Sequence, residues 1–167
     1  MPAEEDQPQP LTPTEEAFVR ALSRVMTAMP RVIEADMVGN AELPLSEYTT
    51  LMHLSEAPHR RLRMSQLAAL CNLSLSGMTR VVSRLEERGL VLRAKCSEDA
   101  RGWNAVLTES GLVCLQEAWP AHLASVRRHV FDELDGHDLV PLTAALRRIA
   151  TTPESAPYDV APERRHL

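Results

Sequence analysis

The 167 residues hold 18 Lys and Arg against 23 Asp and Glu, a net charge of -5, with 44% apolar residues; that is the length and balance of one globular domain. No run approaches the roughly 18 uninterrupted apolar residues a membrane span needs. The opening MPAEEDQPQP is acidic and proline-rich where a signal peptide is basic and then apolar, so a cytoplasmic protein with no membrane partner is expected.

Charge is unevenly spread along the chain. Residues 1–57 carry a net -7, residues 58–101 a net +5 and residues 102–167 a net -3. A basic middle between acidic ends is the asymmetry of a module that meets a polyanion. Cys71, Cys96 and Cys114 are odd in number and widely spaced, which excludes a disulfide framework or a CxxC pair and leaves reduced thiols.

Residues 1–11 lack apolar periodicity and read as a disordered tail. At Thr12-Pro13-Thr14-Glu15 a capping box with proline at the first helical position starts a helix. Its stripe is Phe18, Leu22, Val25, Met26 and Met29. Pro30 is expected to bend or interrupt it, and Gly39-Asn40 to end it. A second helix, capped by Ser46, runs through Tyr48, Leu51, Met52 and Leu54 to Pro58. After the cluster His59-Arg60-Arg61-Leu62-Arg63, Met64 to Cys71 and Ser74 to Arg88 read as two helices joined by a tight turn. Asn72 suits the left-handed conformation such a turn needs, and Ser74 can cap the second of the pair.

Gly89 closes that helix, and Leu90–Lys95 and Trp103–Leu107 are short, β-prone runs flanking a polar hairpin tip. Thr108 can cap a fifth helix, in which Pro120 predicts a kink. A sixth comes after Asp135-Gly136 and carries Leu139, Leu142, Leu146 and Ile149. The fold class is therefore mainly α with a small two-stranded β wing. Helix, helix, turn, helix, ribbon is the order of a winged helix-turn-helix.

The function-bearing constellation is the helix from Ser74 to Arg88. Met78, Val81, Val82 and Leu85 form its buried stripe, and Ser76, Gly77, Thr79, Arg80, Ser83 and Arg84 face outward. Small and basic residues on one face let a helix enter a major groove about 12 Å wide while guanidinium groups reach bases or phosphates. Arg60, Arg61 and Arg63 are candidates for further phosphate contacts. Glycine-rich phosphate loops, nucleophile elbows and HExxH motifs are absent, so no catalytic residue is assigned and an enzyme is not expected. His122 and His129 share a helix face without a third ligand to complete a zinc site, and no metal or other cofactor is assigned. The alternative is a winged-helix protein-interaction module without specific DNA binding, which has no need of an arginine-rich outward face.

The succession LPLSEYTTLMHLSE, MSQLAALCNLSLSGMTRVVSRLEERGLVLR and EDARGWNAVLTESG resembles the MarR family of bacterial transcription regulators, from about Thr12 to Thr151. The resemblance rests on Thr79-Arg80, Arg84-Leu85-Glu86 and Arg88-Gly89-Leu90-Val91, and on Asp99, Arg101, Leu107, Thr108 and Gly111 in the wing. It implies a homodimer on a palindromic operator, with a winged helix-turn-helix at about residues 40–107. Dimerisation helices would span about 12–38 and 108–151, with a flexible tail over 152–167. It further implies that Arg101 enters the minor groove, that Asp99 holds a nearby arginine, and that a small aromatic effector binds between the dimer helices and the DNA lobe. A dyad would place half-sites roughly 10 bp apart in an inverted repeat of double-stranded DNA.

Overall fold

The computed structural model describes residues 9–95 and 102–150. The first helix, α1 (Pro13–Ala41), begins at the expected capping box: the Glu15 amide donates to Thr12 Oγ1 (3.3 Å) and the Thr12 amide to Glu15 Oε2 (2.7 Å). It continues through Pro30 without interruption, because proline removes a single intrahelical bond and the turns on either side remain paired. The chain leaves the helix not at Gly39-Asn40 but through Glu42, which takes the left-handed conformation with φ +49°.

The next helix, α2 (Leu45–Glu56), starts two residues earlier than Ser46 would allow as a cap. Pro44 holds the N-cap position, and the Leu45 amide donates instead to Glu34 Oε2 of α1. After a 3-10 turn at Pro58–Arg60 comes a strand that the sequence does not suggest, β1 (Arg61–Arg63). Two helices come next, α3 (Met64–Leu70) and α4 (Leu75–Glu87). Asn72 between them is left-handed as expected, with φ +51°, and the Gly77 amide donates to Ser74 Oγ (3.1 Å) as the cap.

Strands β2 (Val91–Lys95) and β3 (Trp103–Leu107) complete an antiparallel sheet of order β1-β3-β2. Leu62 lies opposite Ala105, and Val91 opposite Leu107. The two-stranded ribbon of β2 and β3 is thus joined by a third strand: alternation around buried Leu62 sends Arg61 and Arg63 to the outer side while their backbone pairs with β3. Leu51, Leu54, Leu67, Met78, Val82, Leu85, Val91 and Ala105 are all buried in the core beneath this sheet.

Helix α5 (Glu109–Val126) opens on Thr108, whose hydroxyl accepts from the Gly111 amide (2.9 Å) and lies 2.8 Å from the Gly89 carbonyl. Pro120 lies inside this helix. Ser125 donates to Asp36 Oδ2 (2.7 Å), tying α5 to α1. The chain divides after Ser125 into two compact units. The second contains a π-helical turn at Arg127–Phe131 and helix α6 (Leu139–Ala150), where the Val140 amide donates to Asp138 Oδ1. No helix among the described residues is long and apolar enough to cross a membrane.

Candidate nucleic-acid interface

Helix α4 presents three distinct surfaces. Met78, Val81, Val82 and Leu85 are buried, so the helix cannot roll without exposing its apolar stripe. Opposite that stripe, Ser76 and Arg80 are exposed, and Arg80 has no hydrogen-bond or ion-pair partner among the described residues. Ser74 and Ser76 exchange a hydroxyl bond (3.1 Å) at the N-terminus, and half-buried Gly77 packs beside the cap with a neighbour, Ser74 Oγ, 3.2 Å from where a Cβ would stand. The Thr79 hydroxyl donates to the Leu75 carbonyl and the Ser83 hydroxyl to the Thr79 carbonyl. Each donor is thus satisfied within the helix while its oxygen can still accept.

Both flanks of α4 are gripped by residues outside it. On the α2 side, Arg84 Nε donates to Glu47 Oε1 (2.7 Å) and Arg88 Nη1 to Glu47 Oε2 (2.9 Å). Glu47 is only 3% exposed, a buried carboxylate whose two oxygens are each matched by a guanidinium. Arg84, expected from the sequence to face outward, is therefore half-exposed and already paired. On the wing side, Arg93 of β2 donates through Nη2 to the Thr79 carbonyl (3.2 Å) and to the Ser83 hydroxyl. Its backbone amide reaches Glu86 Oε1 (3.3 Å), and its Nε lies 3.4 Å from Glu86 Oε2, close enough to pair but without hydrogen-bond geometry. Neither Glu47 nor Arg93 stands out in the sequence, because their partners lie 37 and 41, or 7 to 14, residues away and no local spacing marks them.

The upstream arginines differ from one another. Arg60 Nη1 pairs with Glu109 of α5 (2.6 Å), an exposed contact weakened by solvent. Arg61 is exposed on β1, and Arg63 is half-buried at the N-cap of α3. There Gln66 Oε1 accepts from the Arg63 amide (3.2 Å); a guanidinium has no acceptor to return the bond, so half a capping box stands where Ser or Thr would give a whole one. A cleft of about 400 Å³ lies between the start of α4 and the wing, walled by Met64, Leu75, Thr79, Arg93 and Trp103. Trp103 is 46% exposed at its rim, so it anchors the ribbon less fully than its size suggests. Asp99, Arg101 and Cys96 lie outside the described residues.

The sequence model of the MarR family matches residues 41–102. The DNA complex of Sco3205, a MarR family transcriptional regulator from Streptomyces coelicolor, is 34% identical. It covers 87% of this chain and 91% of its own at a TM-score of 0.77. AbsC, a MarR family transcriptional regulator from the same organism, is 38% identical over 86% of this chain and 96% of its own, with a TM-score of 0.74. The chain belongs to the MarR family. It is a DNA-binding transcriptional regulator, and members of the MarR family are regulators rather than enzymes. The fold is also shared with CouR from Rhodococcus jostii RHA1, solved bound to p-coumaroyl-CoA: 23% identity over 79% of this chain and 88% of that one, TM-score 0.65.

Between α2 and α5 this MarR-family chain holds an aromatic group that sequence patterns do not assemble. The rings of Tyr48 and His122 stack with centroids 4.3 Å apart, and Trp119 lies 6.0 Å from His122. Tyr48 Oη and His122 Nδ1 are both buried without a hydrogen-bond partner among the described residues. Burial pushes the Tyr48 hydroxyl up to about 12 and holds the His122 imidazole below its ordinary value, so both are neutral at pH 7. His122 thus packs against α2 through its stack on Tyr48. Burial also raises the thiols of Cys71 and Cys114, which disfavours their reactive thiolate forms.

Proposed function

We propose that this regulator binds an inverted-repeat operator in double-stranded DNA as a homodimer, each α4 in a major groove and each wing in the flanking minor groove, and that it represses. The observation that carries this reading is the outer face of α4, where Ser76, Thr79, Arg80 and Ser83 stand clear of the buried stripe on a helix locked at both flanks. Acid is absent from that face until Glu86 and Glu87, at its far end. Arg80 is the base-reading candidate, since a guanidinium matches guanine O6 and N7 with two parallel bonds. Ser74, Ser76, Gly77, Thr79, Ser83 and Arg84 fit the groove or its phosphates. Arg60, Arg61 and Arg63 supply phosphate contacts from the lobe's upstream edge, Arg101 enters the minor groove, and Asp99 supports it.

The homodimer is supported by unpartnered apolar surface. Phe18, Val25 and Met26 of α1 are 57%, 51% and 62% exposed, and Val140, Leu146 and Ile149 of α6 are 77%, 52% and 57% exposed. Two helices this apolar call for a partner, and a second copy supplies one. Release by a small aromatic effector is supported by the group of Tyr48, Trp119 and His122. Its two orphaned polar atoms could fix a ligand's acceptor or donor among aromatic rings. CouR bound to p-coumaroyl-CoA is an instance of this fold carrying an aromatic ligand.

Selection of bound sequences from a random duplex pool tests the reading as a whole. The expected result is an inverted repeat with half-site centres roughly 10 bp apart. Recovery of unrelated sequences without a dyad would refute it in favour of an interaction module.

A further inference from the structure

We propose that Glu47 is a positioning residue for DNA recognition, holding Arg84 at a fixed angle on the flank of α4 so that its remaining donors meet the operator. The inference rests on α4 being the DNA-reading helix. It starts from a cost: a carboxylate beside the helix that approaches a polyanion opposes binding, and burial of an acid is unfavourable unless its charge is matched. Glu47 is buried to 3% exposure at the first turn of α2 and is met by two guanidinium groups, each of them close to half exposed.

The geometry shows what this arrangement gains. Arg84 and Arg88 are four residues apart on one helix face, where two like charges repel and would splay into solvent. A carboxylate between them removes the repulsion and leaves the group one positive charge. Arg84 binds through Nε, not through its terminal nitrogens, at 2.7 Å. A guanidinium is a rigid plane with five donors, so a bond at Nε fixes the plane while both Nη groups still have N–H donors to offer. Arg88 binds the other oxygen through Nη1 at 2.9 Å, so Glu47 cannot swing toward one partner without releasing the other. Arg93 restrains the opposite flank through Thr79 and Ser83. The helix is thereby held against roll from both sides.

The test separates orientation from charge because the two predict opposite signs. Glu47→Gln keeps the shape and removes a negative charge near DNA. If Glu47 matters only as charge, the variant binds both the wild-type-selected duplex and a random duplex more tightly. As a positioning residue, it loses about tenfold in affinity for the selected duplex while random-duplex affinity stays level or rises, so the ratio of the two falls. Arg84→Lys keeps the charge but loses the planar fork, and is expected to reproduce that fall. It serves also if Glu47→Gln unfolds, and the double variant should add little further loss. An unchanged ratio in both single variants, with only a lower melting temperature, would overturn the proposal and leave the triad a tie between α2 and α4. Wild-type protein that binds no duplex would instead refute the DNA-reading role of α4 and this inference with it.

Discussion

Gly111 shows how a single position can be decided by comparing magnitudes. It lies in the first turn of α5, where alanine would favour the helix by about 1 kcal/mol over glycine. A Cβ there would stand 2.1 Å from the Leu90 carbonyl oxygen and 2.7 Å from Leu107 Cδ1. The leucine methyl can move, but the carbonyl oxygen cannot: it belongs to the connection into β2 and accepts from both the Thr108 amide and the Thr108 hydroxyl. Overpacking of this kind costs about 1–3 kcal/mol and outweighs the propensity gain. Gly111→Ala is expected to lower stability in urea denaturation by about 1 kcal/mol, the overpacking cost less the propensity gain. A variant as stable as the wild type would show that the junction of sheet and α5 can relax. In the sequence this glycine is legible only as part of a resemblance; the reason it is glycine lies in a carbonyl 21 positions away.

At the scale of elements, α2 and α5 meet through the stack of Tyr48 on His122, which makes their packing sensitive to protonation. Burial lowers the folded-state pKa of His122. The unfolded chain therefore takes up the proton first, so the stabilisation is complete above the ordinary histidine value of about 6.5 and is lost as pH falls below it. His53 is lowered by burial as well and adds to the same slope. Unfolding free energy measured from pH 7.5 down to 5 should fall in the wild type and fall less in His122→Phe, which keeps a ring for Tyr48 but does not titrate. Equal slopes would mean that His122 is accessible to protons in the folded state. The α4 stripe, the Thr12 capping box, the left-handed Asn72 and the stop at Gly89 are readable because each is encoded within a few residues of itself. Strand β1 is hidden because three residues, two of them arginine, look like a charged linker until Leu62 is seen opposite Ala105. The roles of Glu47, Arg93 and His122 depend on partners from other elements, which no local periodicity reveals.

At the scale of the whole molecule, the proposed dimer makes α6 the most informative place to intervene. Leu142, Leu146 and Ile149 succeed one another at intervals of four and three residues and so lie along one face, and each is at least 41% exposed. Neither Leu146 nor Ile149 belongs to the buried core, so acidic substitution there spares it and bears chiefly on the exposed face offered to another copy. Leu146→Glu combined with Ile149→Glu is expected to convert a dimer to a monomer in analytical ultracentrifugation while leaving the helical circular dichroism intact. If two lobes bind one inverted repeat, each raises the effective concentration of the other at its half-site. Losing that linkage should then cost on the order of a hundredfold in affinity for the full operator. Affinity for an isolated half-site should change little, since the α4 surface that reads it is untouched. A variant that stays dimeric would move the interface away from α6. A monomer that still binds the full operator at wild-type strength would mean that one lobe, not a pair, carries recognition.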